Sequence, residues 1–166
     1  MLVSSRVSFG QRYSEYDVKA AYIYNFIKFI DWPTGYVESK KRIVIGVYKN
    51  QRFGDILEHL LENKKVKGKM WEIRFIYTVA DVEGCDVLFV SSASLSETID
   101  IIRKTKNKPI LTIGNNIKDF CKYGGIINFT PKGDSKRFEI NNNAAKKHKL
   151  RISSKLLALA RIINSK

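Results

Sequence analysis

Ile43-Val44-Ile45-Gly46-Val47-Tyr48 is the stretch on which the fold turns. Six consecutive residues without a charge are expected of a strand covered on both faces. A strand with one wet face alternates apolar and polar positions instead. Downstream, Phe53, Ile56, Leu57, Leu60 and Leu61 fall at helical spacing, and this helix runs out in the lysine-rich turn around Gly68. A second strand follows over 71–77, with Ile73, Phe75 and Tyr77 on one side. A third holds the buried run Val87-Leu88-Phe89-Val90. Strand, helix and strand in succession predict parallel pairing with crossover helices.

The alternation continues in both directions. Ser94 with Glu97 forms a capping box that opens a helix with Leu95, Ile99 and Ile102 inside. Residues 109–114 read as the next strand, 117–121 as a short helix and 126–129 as a strand entered through Gly124-Gly125. The turn Pro131-Lys132-Gly133-Asp134 predicts a hairpin with 137–140 as its returning strand. The C-terminal segment keeps helical spacing at Ile152, Leu156, Leu159, Ala160 and Ile163. Upstream, a helix is expected over 17–30, capped weakly by Ser14 with Asp17. Its buried face is read as Val18, Ala21, Tyr22, Asn25, Phe26, Phe29 and Ile30. Pro33 disfavours helical geometry at Trp32, so the helix stops there. Asn25, the one polar residue on that stripe, is expected to bond a neighbouring loop, because a buried unpaired amide is costly. The expected architecture is α/β: a mostly parallel twisted sheet, helices on both faces and one late antiparallel hairpin strand.

Size and charge bound the rest. At 166 residues and 44% hydrophobic content, the chain is long and apolar enough for one cored domain, read as 15–166. No window approaches the roughly 18 apolar residues of a membrane span. Residues 1–14 read as an irregular start or the remnant of a signal peptide, since they lack an apolar core segment of about 7–15 residues. The net charge of +14 favours anionic partners, or else a solvated lysine-rich surface. The clusters at Lys64, Lys65, Lys67 and Lys69, at Lys104, Lys106 and Lys108, and at Lys146, Lys147 and Lys149 lie in separate parts of the chain. No aromatic-basic recognition strand or recognition helix accompanies them, which argues against nucleic acid.

Motifs for catalysis are missing: there is no Walker loop, dinucleotide fingerprint, nucleophile elbow, H-E-x-x-H or C-x-x-C. His59 and His148 have no companions at metal-ligand spacing and are read as surface residues. No cofactor, metal or catalytic residue is assigned. One loop carries an alternative. Ser91, Ser92 and Ser94 follow a buried strand and open a helix, where free N–H groups favour an anion. An enzyme of flavodoxin-like architecture would place a phosphate there; the plain reading is that these serines cap the helix. Cys85 and Cys121 lie before the third and fifth strands. Two strand spacings, about 9.6 Å, exceed the roughly 7 Å limit for a bridge. Free buried thiols are therefore expected, unless the irregular segment holding Cys121 approaches Cys85.

Three segments together resemble one known family. The first is Tyr16-Asp17-Val18-Lys19-Ala20-Ala21-Tyr22-Ile23-Tyr24-Asn25-Phe26 with Phe29 and Trp32-Pro33, and the second is Cys85-Asp86-Val87-Leu88-Phe89-Val90. The third runs from Gly124-Gly125-Ile126-Ile127-Asn128-Phe129 through Arg137-Phe138-Glu139-Ile140-Asn141 to Ile152-Ser153-Ser154-Lys155-Leu156-Leu157. The set is similar to the YfiR/HmsC-like family of bacterial periplasmic proteins. The resemblance implies a secreted, non-catalytic α/β regulator, often dimeric. Its best-known relatives repress a membrane-bound diguanylate cyclase by binding the periplasmic sensor portion, and so control cyclic-di-GMP and biofilm formation. A sensor kinase is the other membrane partner it allows. Relatives carry more cysteines and use disulfides, which this chain with two does not match. Gly124, Gly125, Asn128, Arg137, Phe138, Glu139, Asn141, Ser153 and Ser154 are read as fold-defining. Tyr22, Asn25, Phe26, Phe29, Trp32 and Pro33 are read as the partner or dimer surface, because exposed aromatics are enriched at interfaces.

Overall fold

The computed structural model describes residues 13–164. Their elements, in chain order, are α1 (Glu15–Lys28), β1 (Ile30–Asp31), β2 (Arg42–Tyr48), α2 (Gln51–Leu61), β3 (Met70–Ile76), β4 (Val87–Val90), α3 (Leu95–Thr105), β5 (Leu111–Asn115), β6 (Ile127–Phe129), β7 (Phe138–Ile140), α4 (Asn142–Lys147), β8 (Arg151–Ile152), α5 (Ser154–Leu159) and β9 (Arg161–Ile162). A 3-10 turn, Val79–Val82, links β3 to β4. Most of the N-terminal stretch read as an irregular start, residues 1–12, lies outside the described residues.

Seven strands form the main sheet in the order β3-β2-β4-β5-β6-β7-β9. The first five run parallel, β7 returns antiparallel to β6, and β9 lies parallel to β7. The mostly parallel α/β sheet read from the sequence is the one formed. The hairpin strand β7 lies one in from the edge, which β9 forms. The C-terminal segment expected to be one helix is only a single helical stretch, α5, between two short strands. The segment 117–121 forms turns, not a helix.

Alternation along the central strands divides the core in two. Ile43, Ile45, Val47, Val87, Phe89, Leu111, Ile113, Ile127 and Phe129 face α1 and α2. Val44, Tyr48, Leu88 and Val90 face α3 and the turn carrying Phe120. Phe120 lies flat against backbone: a Cβ at Gly125 would stand 2.2 Å from its ring, and one at Gly114 would stand 2.9 Å from it. Gly124 precedes this contact with φ +111°. The pair lets the chain turn tightly enough to enter β6 over an aromatic ring.

Asp86, just before β4, ties the amino ends of the strands together. Its carboxylate is 1% exposed. It accepts from the Val44 N–H at 2.8 Å and the Tyr36 hydroxyl at 2.9 Å, and Lys40 Nζ stands 2.8 Å away. Burial and the neighbouring carboxylate raise the Tyr36 pKa. A buried charge is tolerable only with this complete set of partners. Asp86→Ala strands the Val44 N–H and the Tyr36 hydroxyl, so it is expected to lower unfolding free energy by about 2 kcal/mol. Urea denaturation at neutral pH measures this, and an unchanged midpoint would remove the assigned role.

Candidate functional site

In an open parallel sheet, ligands sit at the carboxyl ends of strands where the connections change direction. Here that point lies between β2 and β4, which are neighbours although β3 separates them in sequence. The residues that emerge there are bonded to one another. Asn50 Nδ2 donates to Ser91 Oγ at 3.1 Å and to the Tyr16 hydroxyl at 3.0 Å. Its Oδ1 caps α2 by accepting from the Phe53 N–H at 3.0 Å. Asn115 Nδ2 donates to the same Ser91 Oγ at 3.2 Å. Lys19, although charged, is only 8% exposed; its Nζ donates to Asn115 Oδ1 at 2.7 Å and lies 5.6 Å from the Phe129 ring centre. Burial lowers the Lys19 pKa, and the Glu15 carboxylate partly offsets this. Glu15 itself pairs with Arg137, so the first turn of α1 is tied down across the carboxyl edge.

The serine loop is occupied in the same way. Ser92 has φ +54°, and Ser94 Oγ accepts from the Glu97 N–H at 3.2 Å. The Glu97 carboxylate accepts from the Ser94 N–H at 2.9 Å, from the Tyr48 hydroxyl at 2.8 Å and from Lys49. The chain's own carboxylate thus sits where an anion would sit on a helix start. Lys49, the Ser94 backbone and Tyr48 hold the Glu97 carboxyl at about 2.

Helix α1 has a second face, and it is open. The sequence reading placed Val18, Ala21, Tyr22, Asn25, Phe26, Phe29 and Ile30 inward. Phe26 and Ile30 are buried, and Tyr22 is half-buried against Phe129 and Phe138. Ala21, Asn25 and Phe29 are exposed and Val18 only half-buried, while Lys19, Ala20, Ile23 and Ile27 are buried instead. Asn25 is exposed, and its Nδ2 donates to the Ala21 carbonyl of its own helix at 3.1 Å, not to a loop. Val18, Ala21, Tyr22 and Asn25 line a groove of about 1220 Å³ whose other wall is Ile56 and Leu60 of α2. Asp17, Arg52, Asp55 and His59 edge it with charge of both signs. Phe29 is 40% exposed. Two residues read as surface aromatics are core: Phe26 is fully buried, and Trp32 is 8% exposed with its Nε1 donating to the Pro109 carbonyl at 2.9 Å. The indole needs an acceptor once buried, and the Pro109 carbonyl supplies it.

The remaining motif residues fasten loops to strands. Asn128 Oδ1 accepts from the Ile117 N–H at 3.0 Å, and its Nδ2 donates to the Ile117 carbonyl at 2.9 Å. Asn141 caps α4 through the Ala144 N–H at 2.9 Å and donates to the Cys121 carbonyl at 2.7 Å. Phe138 is buried, and Glu139 meets Arg161 of β9 at 3.4 Å. Ser153 caps α5, and its N–H donates to the Phe29 carbonyl at 3.0 Å; Ser154 is the first residue of that helix and is exposed. Against known families, the model described as YfiR/HmsC-like matches residues 16–161, nearly the whole described chain. The chain belongs to the YfiR/HmsC-like family. No curated protein matches it.

This YfiR/HmsC-like chain keeps both thiols free and buried. Burial pushes the Cys85 thiol up to about 11 and raises that of Cys121 as well. His148, expected on the surface, is buried with Nδ1 3.1 Å from the Ile110 carbonyl; burial lowers its pKa. Among the described residues no His, Cys, Asp and Glu group is placed to hold a metal, and no helix is long and apolar enough to cross a membrane. Sequence reasoning missed Lys19 and Tyr16, whose signal was a lysine and a tyrosine beside an otherwise apolar stripe.

Two measurements check this geometry. Cys85 and Cys121 are expected to resist a thiol reagent at mildly alkaline pH in the folded protein and to react fully once unfolded, because only the thiolate attacks. Rapid labelling of the native protein would contradict it. Glu97, depressed when folded, contributes stability that is present above the ordinary carboxyl range and lost as pH falls towards 2. Thermal melts of Glu97→Gln should therefore decline less than wild type between pH 5 and pH 2, relative to each protein's value at neutral pH. An equal decline would place the Glu97 carboxyl outside the network.

Proposed function

We propose that this protein is a periplasmic, non-catalytic regulator that represses a membrane-bound diguanylate cyclase by gripping its periplasmic sensor portion in the groove between α1 and α2. The YfiR/HmsC-like family, matched over residues 16–161, is one of periplasmic regulators of cyclic-di-GMP signalling. Family membership supports the class of activity, and the groove supports its place. The single observation that carries the reading is the apolar stripe Val18, Ala21 and Tyr22 lining a groove with Ile56 and Leu60, while the polar side chains at the sheet's carboxyl edge are bonded to one another.

A groove with apolar walls and a charged rim suits an amphipathic helix, which lays residues at i, i+3, i+4 and i+7 between the walls. Specificity would come from Asp17, Arg52, Asp55 and His59 on the rim, which penalise a partner with the wrong charges. Binding at this surface would favour one conformation of the partner over another, which is how a non-catalytic protein alters output. Control of biofilm formation would then follow from release of the cyclase. A sensor kinase with a similar periplasmic portion would be held by the same contacts.

Ala21 is exposed at the groove, so Ala21→Arg fills it with a long charged side chain without entering the core. Deleting the gene is expected to raise cellular cyclic-di-GMP, and restoring it with Ala21→Arg should leave the level as high as the deletion. The purified variant should melt within about 2 °C of wild type, as surface changes do. An unchanged cyclic-di-GMP level in the deletion would overturn the regulatory reading. Full repression by Ala21→Arg would move the contact away from this groove.

A further inference from the structure

The lysine-rich segments are far apart in sequence, and the sheet gathers them at one end. Its parallel strands have their amino ends in line, with Arg42 beside Met70, Ile45 beside Val87 and Val87 beside Leu111. Residues 40–42 enter β2, residues 64–69 enter β3 and residues 104–108 enter β5 at that end. Residues 146–151 join them, because His148 at the end of α4 meets the Ile110 carbonyl just before β5. Lys67 and Arg151 reach the same carboxylate, Asp31, at 3.0 Å and 3.3 Å. Together these segments hold fourteen of the chain's thirty lysines and arginines and no aspartate or glutamate. Of the carboxylates beside them, Asp31 is taken by that pair, Glu83 by Lys108 and the buried Asp86 by Lys40. Glu38 and Glu62 are exposed there and too few to balance the rest. Lys41, Lys65, Lys106, Lys146, Lys147 and Lys149 are exposed and, among the described residues, pair with no carboxylate.

Helix ends account for part of this charge. α1, α2, α3 and α4 all finish at this end, and a lysine in a last turn offsets the negative end of a helix. That benefit covers Lys28, Lys104, Lys146 and Lys147. Lys41, Lys65, Lys67 and Lys149 lie beyond the helices and are not called for by it. A merely solubilising charge would also be spread evenly, and this one is not. At the carboxyl edge Lys19 is buried on Asn115, Lys49 is paired with Glu97 and Arg137 with Glu15. Large apolar side chains also stand exposed among the cations: Phe29 at the exit of α1, Met70 at the start of β3 and Tyr123 before the turn into β6. Nucleic acid would ask for a helix or ribbon that enters a groove, or for a stacking platform. This end is a row of turns. An anionic bilayer asks only for a broad cationic face with apolar side chains to enter the interface.

We propose that the amino end of the sheet is a peripheral membrane-binding face, which lies against an anionic phospholipid surface with Phe29, Met70 and Tyr123 at the level of the headgroups. α1 and α2 run from the carboxyl edge to the amino edge, so in this pose both stand upright on the bilayer. The face rests on where charge and apolar side chains are placed, and it holds whether or not the groove grips a cyclase.

Flotation of the full chain with lipid vesicles tests it. The protein should float with vesicles of phosphatidylcholine mixed with phosphatidylglycerol and stay behind with phosphatidylcholine alone. Raising sodium chloride from about 0.1 M to about 1 M shortens the screening length from about 10 Å to about 3 Å and should release most of it. Lys65→Gln/Lys147→Gln removes two unpaired cations from this end. It should weaken binding about tenfold or more, since each basic residue near such a surface contributes about fivefold. Lys118→Gln/Lys132→Gln removes the same charge from exposed positions at the carboxyl edge. A seven-residue strand sets these about 20 Å further off, beyond the screening length, so binding should change by less than about threefold. Both pairs should melt within about 2 °C of wild type. Failure to float with the anionic vesicles would overturn the proposal. So would equal losses from the two pairs, which would make net charge and not this face responsible, or tighter binding of duplex DNA than of the vesicles at the same salt.

Discussion

Phe26 packs with its ring centre 4.8 Å from Phe138 and 5.7 Å from Phe129, so α1 is pinned to the part of the sheet where the antiparallel hairpin begins. Burying a phenylalanine in such a setting is worth several kcal/mol, and the edge-on contact adds to it. The consequences of that one docking reach both ends of the helix. At its start, Glu15 meets Arg137 and Lys19 meets Asn115, which closes the carboxyl edge of the sheet. At its exit, Trp32 reaches the Pro109 carbonyl, and β1 pairs with β8 through Ile30↔Ile152. What remains uncommitted on α1 is its outer stripe, and that stripe faces α2 across the groove.

The α/β class was legible because β2 and β4 are apolar on both faces, as strands inside a parallel sheet must be and strands with a wet face are not. The hairpin was legible from its turn residues. The inward face of α1 was not, and the reason is physical. Apolar residues occupy most of its circumference, so two overlapping stripes fit helical spacing equally well. The stripe that is buried contains Lys19, which counts against it in any hydrophobicity argument. Only the tertiary partners Asn115 and Glu15, distant or unremarkable in sequence, make a buried ammonium tolerable. Asn25 was misplaced inward by the same error, whereas Trp32, beyond the end of α1, was read outward as an interface aromatic and is instead buried on the Pro109 carbonyl.

The C-terminal segment failed for a different reason. Ile152, Leu156, Leu159, Ala160 and Ile163 keep helical spacing, yet β8 and β9 are short strands whose state is set by β1 and β7, partners far along the chain. Two-residue strands leave no periodic signature. His148 escaped because its lysine neighbours suggested exposure, whereas the turn after α4 points the ring at Ile110. Among the motif residues, Asn128 and Asn141 spend their amides on backbone groups of neighbouring loops, which accounts for a requirement for that residue type without invoking a ligand.

The polar groups at the carboxyl edge of the sheet are thus bonded to one another in holding α1, α2 and α3 to it, and the proposed partner contact lies along α1 and α2. Hydrogen exchange on the protein with and without the periplasmic portion of the proposed cyclase partner tests this most directly. Added protection should appear in α1 and α2, at residues 15–28 and 51–61. Protection confined to residues 91–97, with α1 and α2 unchanged, would contradict it.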